Sequence, residues 1–149
     1  KHHRTMRGLA AWGHSGKGWF YGIKLHITTD LRDRLLALSF TPGNTDDRSQ
    51  FLTLNRDLAG IFVADAGYVS DKLTRSFNQE GIRILFAKPY KSMKKLITVW
   101  QYHLYNTRVR IEKNFRSLKM FRGLVTSLPR SLDGYLGNYV YALLAHMLV

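Results

Sequence analysis

Ten acidic side chains stand against 23 lysines and arginines in this chain of 149 residues, few enough that each acid can be asked what it does. Asp30 and Asp33 suit a hairpin turn, and Asp57 and Glu80 suit solvated helix faces. Asp46, Asp47, Asp71 and Asp133 suit helix starts, where the helix dipole favours negative charge. Asp65 and Glu112 are left without an easy structural role. Asp65 follows Ile61-Phe62-Val63-Ala64, so its carboxylate is expected at the exit of a buried strand, where α/β sheets usually place ligand-binding groups. A turn or cap residue ahead of Gly67 explains the same position equally well. Glu112 lies mid-helix between Ile111 and Phe115, beside an apolar stripe of Leu104, Ile111, Phe115 and Leu118, and a carboxylate there needs a partner. Taken alone, a surface ion pair with Arg108 or Arg116 is the simpler account. The chemistry that would use both acids is metal-dependent phosphoryl transfer. Hard divalent cations take oxygen ligands, and a pair of them clamps the attacking and the leaving oxygen.

The neighbours of Glu112 sharpen this reading. In a continuous helix at about 100° per residue, Tyr105, Arg108, Glu112 and Lys119 fall at roughly 0°, 300°, 340° and 320°, within one arc of about 60°. Arg108 suits a bidentate phosphate clamp, Lys119 a point charge and Tyr105 a hydrogen bond. Arg116 and Lys88, the latter opening a basic loop over residues 88–95, are further candidates for DNA contact. Trp100 near that loop suits stacking on an extruded base, whereas Trp19 fits a strand core. The six histidines show no close pairing on a helical face, and no histidine metal site is expected.

Positioning these groups requires a particular set of elements. Residues 19–27 alternate Trp19, Tyr21, Ile23, Leu25 and Ile27 with less apolar neighbours, the period of a strand with one buried face. A turn at 30–34 leads to an apolar run at 35–40, read as a second strand hairpinned to the first and covered on both faces. Pro42-Gly43-Asn44 ends it, and Thr45, Asp46 and Asp47 cap and begin a helix carrying Phe51, Leu54 and Leu58. Next come a strand at 61–64, a helix from the N-cap Ser70 to near Gly81, and a strand at 82–87. A long helix over 99–122 and a final helix from about Leu132 complete the order. That alternation indicates an α/β layered domain with a mixed sheet. The basic, aperiodic residues 1–18 read as a loop or arm, and residues 1–149 as one domain.

Composition narrows the partner. A net charge of +13 calls for a polyanion, which for a cytoplasmic protein is nucleic acid, because lysines and arginines on phosphates release counterions. The absence of cysteine excludes disulfides, a thiolate zinc site and a cysteine nucleophile, and a cytoplasmic location is the default. The apolar stretch 132–149 is interrupted by Asp133, Asn138, His146 and two glycines, so it reads as a core helix and membrane association is not expected. The chain opens on Lys1-His2-His3-Arg4 without an initiator methionine and is expected to start inside a longer protein.

The full spacing of Tyr105, Arg108, Glu112 and Lys119 resembles the tyrosine-arginine-glutamate-lysine signature of bacterial insertion-sequence transposases of the DDE class. Gly18-Trp19-Phe20-Tyr21-Gly22-Ile23-Lys24-Leu25-His26 looks like that family's strand entry, and Thr41-Pro42-Gly43-Asn44-Thr45-Asp46-Asp47-Arg48 like its turn after the strand. Asp65-Ala66-Gly67-Tyr68 resembles its second-aspartate motif, so ordered motifs cover almost the whole chain. The resemblance implies an RNase H-like mixed sheet flanked by helices, in which three acids hold two Mg2+ (or Mn2+) ions, with Asp65 the second acid and Glu112 the third. The first acid would sit on a central opening strand upstream of the Gly18-Trp19-Phe20 segment, and residues 1–18 hold neither such a strand nor an acid. This chain is therefore expected to lack that strand and the family's N-terminal DNA-recognition region, and to be inactive alone unless Asp46 or Asp47 substitutes or another chain supplies the segment. The implied reaction is hydrolysis at transposon ends followed by strand transfer into target DNA, by a nucleoid-associated protein and plausibly a homodimer on DNA. Two rivals remain open: a non-catalytic nucleic-acid-binding remnant of a transposase, and another RNase H-like nuclease.

Overall fold

In the computed structural model, residues 6–16, 18–87, 98–122, 124 and 131–148 are described. Lys88 and the basic loop over 88–95 lie outside them. The chain divides into two compact units, one from the residues up to Thr45 together with those from Ile111 onward, the other Asp46–Arg110.

The first unit is built on an antiparallel sheet of β1 (Ala11–Ser15), β2 (Gly18–Thr29) and β3 (Leu35–Pro42), in that order. Where the sequence reading has a loop, Ala11–Ser15 is a strand paired with Gly18–Gly22. The reason is local and tertiary together. Gly13 is buried so close to Gly43 that a Cβ there would fall inside the Gly43 carbonyl, and the Phe20 ring lies against both glycines. On the opposite face Trp12 meets Tyr21 and His14 meets Trp19 edge to face, with ring centroids 5.6 and 5.2 Å apart.

Alternation in β2 delivers Leu25 and Ile27 to a core of Leu118, Leu124, Ala142 and Leu143. These last come from α4 (Val109–Phe121), the chain following it, and α5 (Leu132–Met147). A bulge between Thr28 and Thr29 leaves Leu36 without a Cα partner, so Leu35 and Phe40, of opposite parity, both reach this core. Leu36 and Leu38 remain exposed, so β3 is not covered on both faces as expected. Trp19 is a second departure. It shares the face of Leu25 and Ile27 but is 74% exposed, because among the described residues the core of the helices packs on the strand at its Leu25–Ile27 end. Buried Asn114 ties α4 to the turn after β2 through Thr29 Oγ1 at 3.4 Å and Asp33 Oδ1 at 3.3 Å.

The second unit pairs β4 (Gly60–Ala64) and β5 (Arg83–Ala87) in parallel. Parallel neighbours need a crossover, supplied here by α2 (Asp71–Phe77), which starts at the Ser70 N-cap foreseen from the sequence. With α1 (Asp47–Leu54), capped by Asp46, it closes a core of Ala64, Leu73, Phe77 and Leu85 flanked by Phe51, Leu52, Phe62 and Tyr68. Arg83 holds the far end together: Nε donates to Phe77 O at 2.8 Å, Nη1 donates to Arg56 O at 2.6 Å, and the guanidinium lies 4.8 Å from the Phe77 ring centroid. Antiparallel and parallel pairing with flanking helices gives an α/β architecture compatible with an RNase H-like fold.

The single helix expected over 99–122 is two. α3 (Val99–Asn106) begins with a capping box between Thr98 and Gln101 and stops at Thr107. Thr107 Oγ1 donates to Leu104 O at 2.7 Å, and the Thr107, Arg108 and Arg110 amides each bond three residues back. A threonine hydroxyl that takes a backbone carbonyl competes with the helical ladder, and the chain tightens here before α4 starts at Val109.

Candidate functional site

β4 ends at Ala64, and Asp65 follows as the N-cap position of a short 3-10 turn, Ala66–Tyr68, without a side-chain capping bond. Its carboxylate is thus presented at the exit of a parallel strand, as the sequence suggested, and is not consumed by the turn. It is 61% exposed and meets a cation: Arg108 Nη1 lies 3.1 Å from Asp65 Oδ1. The guanidinium in turn lies 4.8 Å from the Tyr105 ring centroid. One residue of the spaced signature, Arg108, therefore pairs with the strand-end acid, and a second, Tyr105, lies beneath it, all within the second unit.

Tyr105 is the more buried member of this contact. It is only 7% exposed, and its ring serves as a seat beneath Arg108. The four residues do not share one continuous helix. Tyr105 belongs to α3, Arg108 to the break, and Glu112 and Lys119 to α4. Glu112 lies in the first turn of α4, not mid-helix, where the dipole favours its charge.

Along α4, Glu112, Phe115, Arg116, Lys119 and Met120 line an open groove. Lys119 Nζ lies 5.9 Å from the Phe115 ring centroid, and Arg116 Nε reaches the Met120 sulfur at 3.4 Å. One carboxylate and two cations of the expected set thus share a helix face of the first unit. Trp100 is exposed on α3, as base stacking requires.

Two residues beside Asp65 escaped the sequence reading as site components, although both stand inside motifs quoted for the resemblance. Arg48, two residues past the Asp46 cap, donates Nε to Gly67 O at 2.8 Å and so pins the turn that carries Asp65. Tyr68 packs on Phe51, with ring centroids 5.4 Å apart. Burial, then the charges of Asp47, Asp65 and Asp46, push its phenol up from 10.0 to about 12. The acid cluster around Tyr68 is thereby visible as a field even though its members come from separate segments.

Tyr68 makes stability depend on alkaline pH. The folded chain keeps the phenolic proton to about pH 12, whereas the unfolded chain releases it near 10.0, so folding binds a proton in that interval. Its contribution is fully present below pH 10.0 and is lost as pH rises toward 12. Chemical unfolding at a series of alkaline pH values should show this loss, and Tyr68→Phe should flatten it while changing stability little at neutral pH. An unchanged slope in the variant would remove Tyr68 as its source.

A protein-family model described as Transposase DDE domain matches residues 1–131. The chain belongs to this DDE transposase family. No curated protein and no solved structure matches it. The family typically uses divalent metals. Asp65 is an exposed hard oxygen donor that pairs with Arg108. Among the described residues, however, no group of three histidine, cysteine or acidic side chains is placed to hold a metal ion. No helix among them is long and apolar enough to cross a membrane.

Proposed function

We propose that this domain serves a bacterial insertion-sequence transposase that cleaves phosphodiester bonds at transposon ends and transfers the freed 3′-hydroxyl into target DNA. The observation that carries the reading is the contact of Asp65 with Arg108, in a chain whose family is established. A carboxylate at a strand exit and the arginine of the signature are far apart in sequence and meet at 3.1 Å, a carboxylate being able to ligate a cation and an arginine to bind a phosphate.

Asp65 and Glu112 are proposed as the ligands of two Mg2+ or Mn2+ ions, which when bound would acidify the attacking hydroxyl and stabilise the leaving oxygen. Arg108 is proposed to clamp a phosphate, with Arg116 and Lys119 setting the path of the strand along α4. Arg48 holds the Asp65 turn in place through Gly67 O. The net charge of +13 draws the polyanion in, and a homodimer on DNA, bringing two ends together in the nucleoid, completes the proposal.

A second reading is a DNA-binding module without chemistry, favoured by the lack of a three-acid cluster among the described residues. The discriminating experiment offers DNA carrying an insertion-sequence end to a protein with the full acid set, in the presence of Mg2+. New 3′-hydroxyl ends at the element boundary are expected. Binding without any phosphodiester cleavage would leave the binding module as the function.

A further inference from the structure

We propose that the exposed face of the β1–β2 hairpin is a stacking platform for the unpaired bases of a single DNA strand, with Trp19 and Trp12 as the rings that receive them. The inference rests on DNA as the substrate, as proposed above, and adds a second place on the chain where a strand is held. Three observations carry it.

The first is the set of rings itself. Ladder pairing sets Trp12 opposite Tyr21 and His14 opposite Trp19, and each pair meets edge to face. An edge-to-face pair steadies its rings without laying one flat over the other, as an offset stack would. Trp19 is 74% and Trp12 52% exposed, and the two are diagonal neighbours on the ladder. Large apolar side chains exposed side by side, and not scattered singly, mark an interaction surface. The second is spacing. The two rows of rings stand two residues apart along each strand, about 7 Å, which is about twice the roughly 3.4 Å rise of stacked bases. A strand that lays one base on each row therefore has its bases drawn apart, which a duplex allows only by unpairing. A single strand meets that condition at little cost. The third is charge. Residues 1–29 contain Lys1, Arg4, Arg7, Lys17 and Lys24 and no acid, the first acid of the chain being Asp30. The hairpin thus belongs to a segment of purely positive formal charge, which complements phosphates, and aromatic rings set among positive charges are the make-up of a groove for single strands. Contact between two copies through this face would bring like charges together.

Binding of the protein to labelled oligothymidylate and to a labelled duplex of the same length, followed by fluorescence anisotropy at a series of salt concentrations, tests the platform without metal and without catalysis. Trp19→Ala is expected to weaken oligothymidylate binding by about fivefold to a hundredfold, the range of one base–aromatic stack, and duplex binding by less than about twofold. The ring carries no charge, so the salt dependence keeps its slope. Trp19→Phe retains a π face and should restore most of the affinity. Undiminished oligothymidylate binding by a folded Trp19→Ala protein would overturn the proposal, and so would a loss shared equally by the duplex, which marks Trp19 as a structural residue. A drop in oligomeric state on sedimentation with strand affinity unchanged would make the face a contact between copies and would likewise overturn it. The layer beneath is read separately. A protein that binds duplex but not oligothymidylate keeps DNA as its partner and loses the platform, whereas one that binds neither loses both. A measurement on the unaltered protein covers the case in which Trp19→Ala fails to fold: photocross-linking to a single strand carrying iodouracil is expected to attach at Trp12, Trp19 or Tyr21, and attachment only outside the β1–β2 hairpin would sink the platform.

Discussion

Glu112→Gln is expected to lower cleavage at a transposon end on the order of 10³-fold while binding to the same DNA changes by less than about twofold. The magnitude follows from the role proposed for the carboxylate. A metal ion supplies several kcal/mol of transition-state charge stabilisation, and at about 1.4 kcal/mol per decade the loss of one of its ligands reaches three decades. Glutamine keeps the shape, removes the charge and replaces one accepting oxygen by a donating amide. The groove retains Arg116 and Lys119, so the electrostatic attraction for phosphates survives. Folding should survive as well, because an acid in a first helical turn contributes only about 0.3–1 kcal/mol through the dipole. Single-turnover cleavage and end binding, measured in a protein with the full acid set, check both halves. Joint loss of binding, cleavage and cooperative unfolding would show that Glu112 is a structural ion-pair residue and would remove it from the proposed metal site.

The opposite pattern belongs to Phe77→Ala, for which a loss of about 3–5 kcal/mol of stability is expected. Phe77 is 1% exposed and stands at the centre of the second unit. Its ring lies 4.8 Å from Phe51 and 4.9 Å from Phe62, and it carries the Arg83 guanidinium on one face. Truncation removes the aromatic contacts and leaves a cavity that strand and helix cannot close, since β4 and β5 are fixed by their ladder. A typical domain has only about 5–15 kcal/mol in total, so the unit that presents Asp65 would be partly unfolded at 37 °C. Denaturant midpoints measure the effect, and activity should fall in proportion to the folded fraction. A shift below about 1 kcal/mol would mean that the cluster repacks readily around the gap.

These two substitutions separate chemistry from architecture, and the same division runs through what could be read from the residues. The alternation of residues 19–27 signals β2 correctly because a period of two is a local property. Ser70 is recognisable as a cap for the same reason, since a hydroxyl three residues ahead of an amide finds it whatever the rest of the chain does. β1 could not be read this way. Ala11–Ser15 has no strong period, and it becomes a strand through the close approach of Gly13 to Gly43 and through aromatic pairs across to β2. Trp19 shows the converse failure, for its place in the pattern is that of a core residue, yet only packing decides how far along a strand the helices extend.

The amino-acid sequence by itself determined the inventory of this protein: a strong positive charge, an acid placed to leave a strand, and a set of tyrosine, arginine, glutamate and lysine whose spacing points to its family. It determined these because charge, periodicity and spacing are properties of the chain in order. Tertiary structure alone decided the partners. A helical wheel presumes an unbroken helix, and the chain is interrupted at Thr107 and Arg108, so Arg108 pairs with Asp65 above the Tyr105 ring while Glu112 lies in the first turn of α4, lining a groove with Arg116 and Lys119. Which cation faces which carboxylate is a matter of long-range packing, which spacing along the chain does not encode.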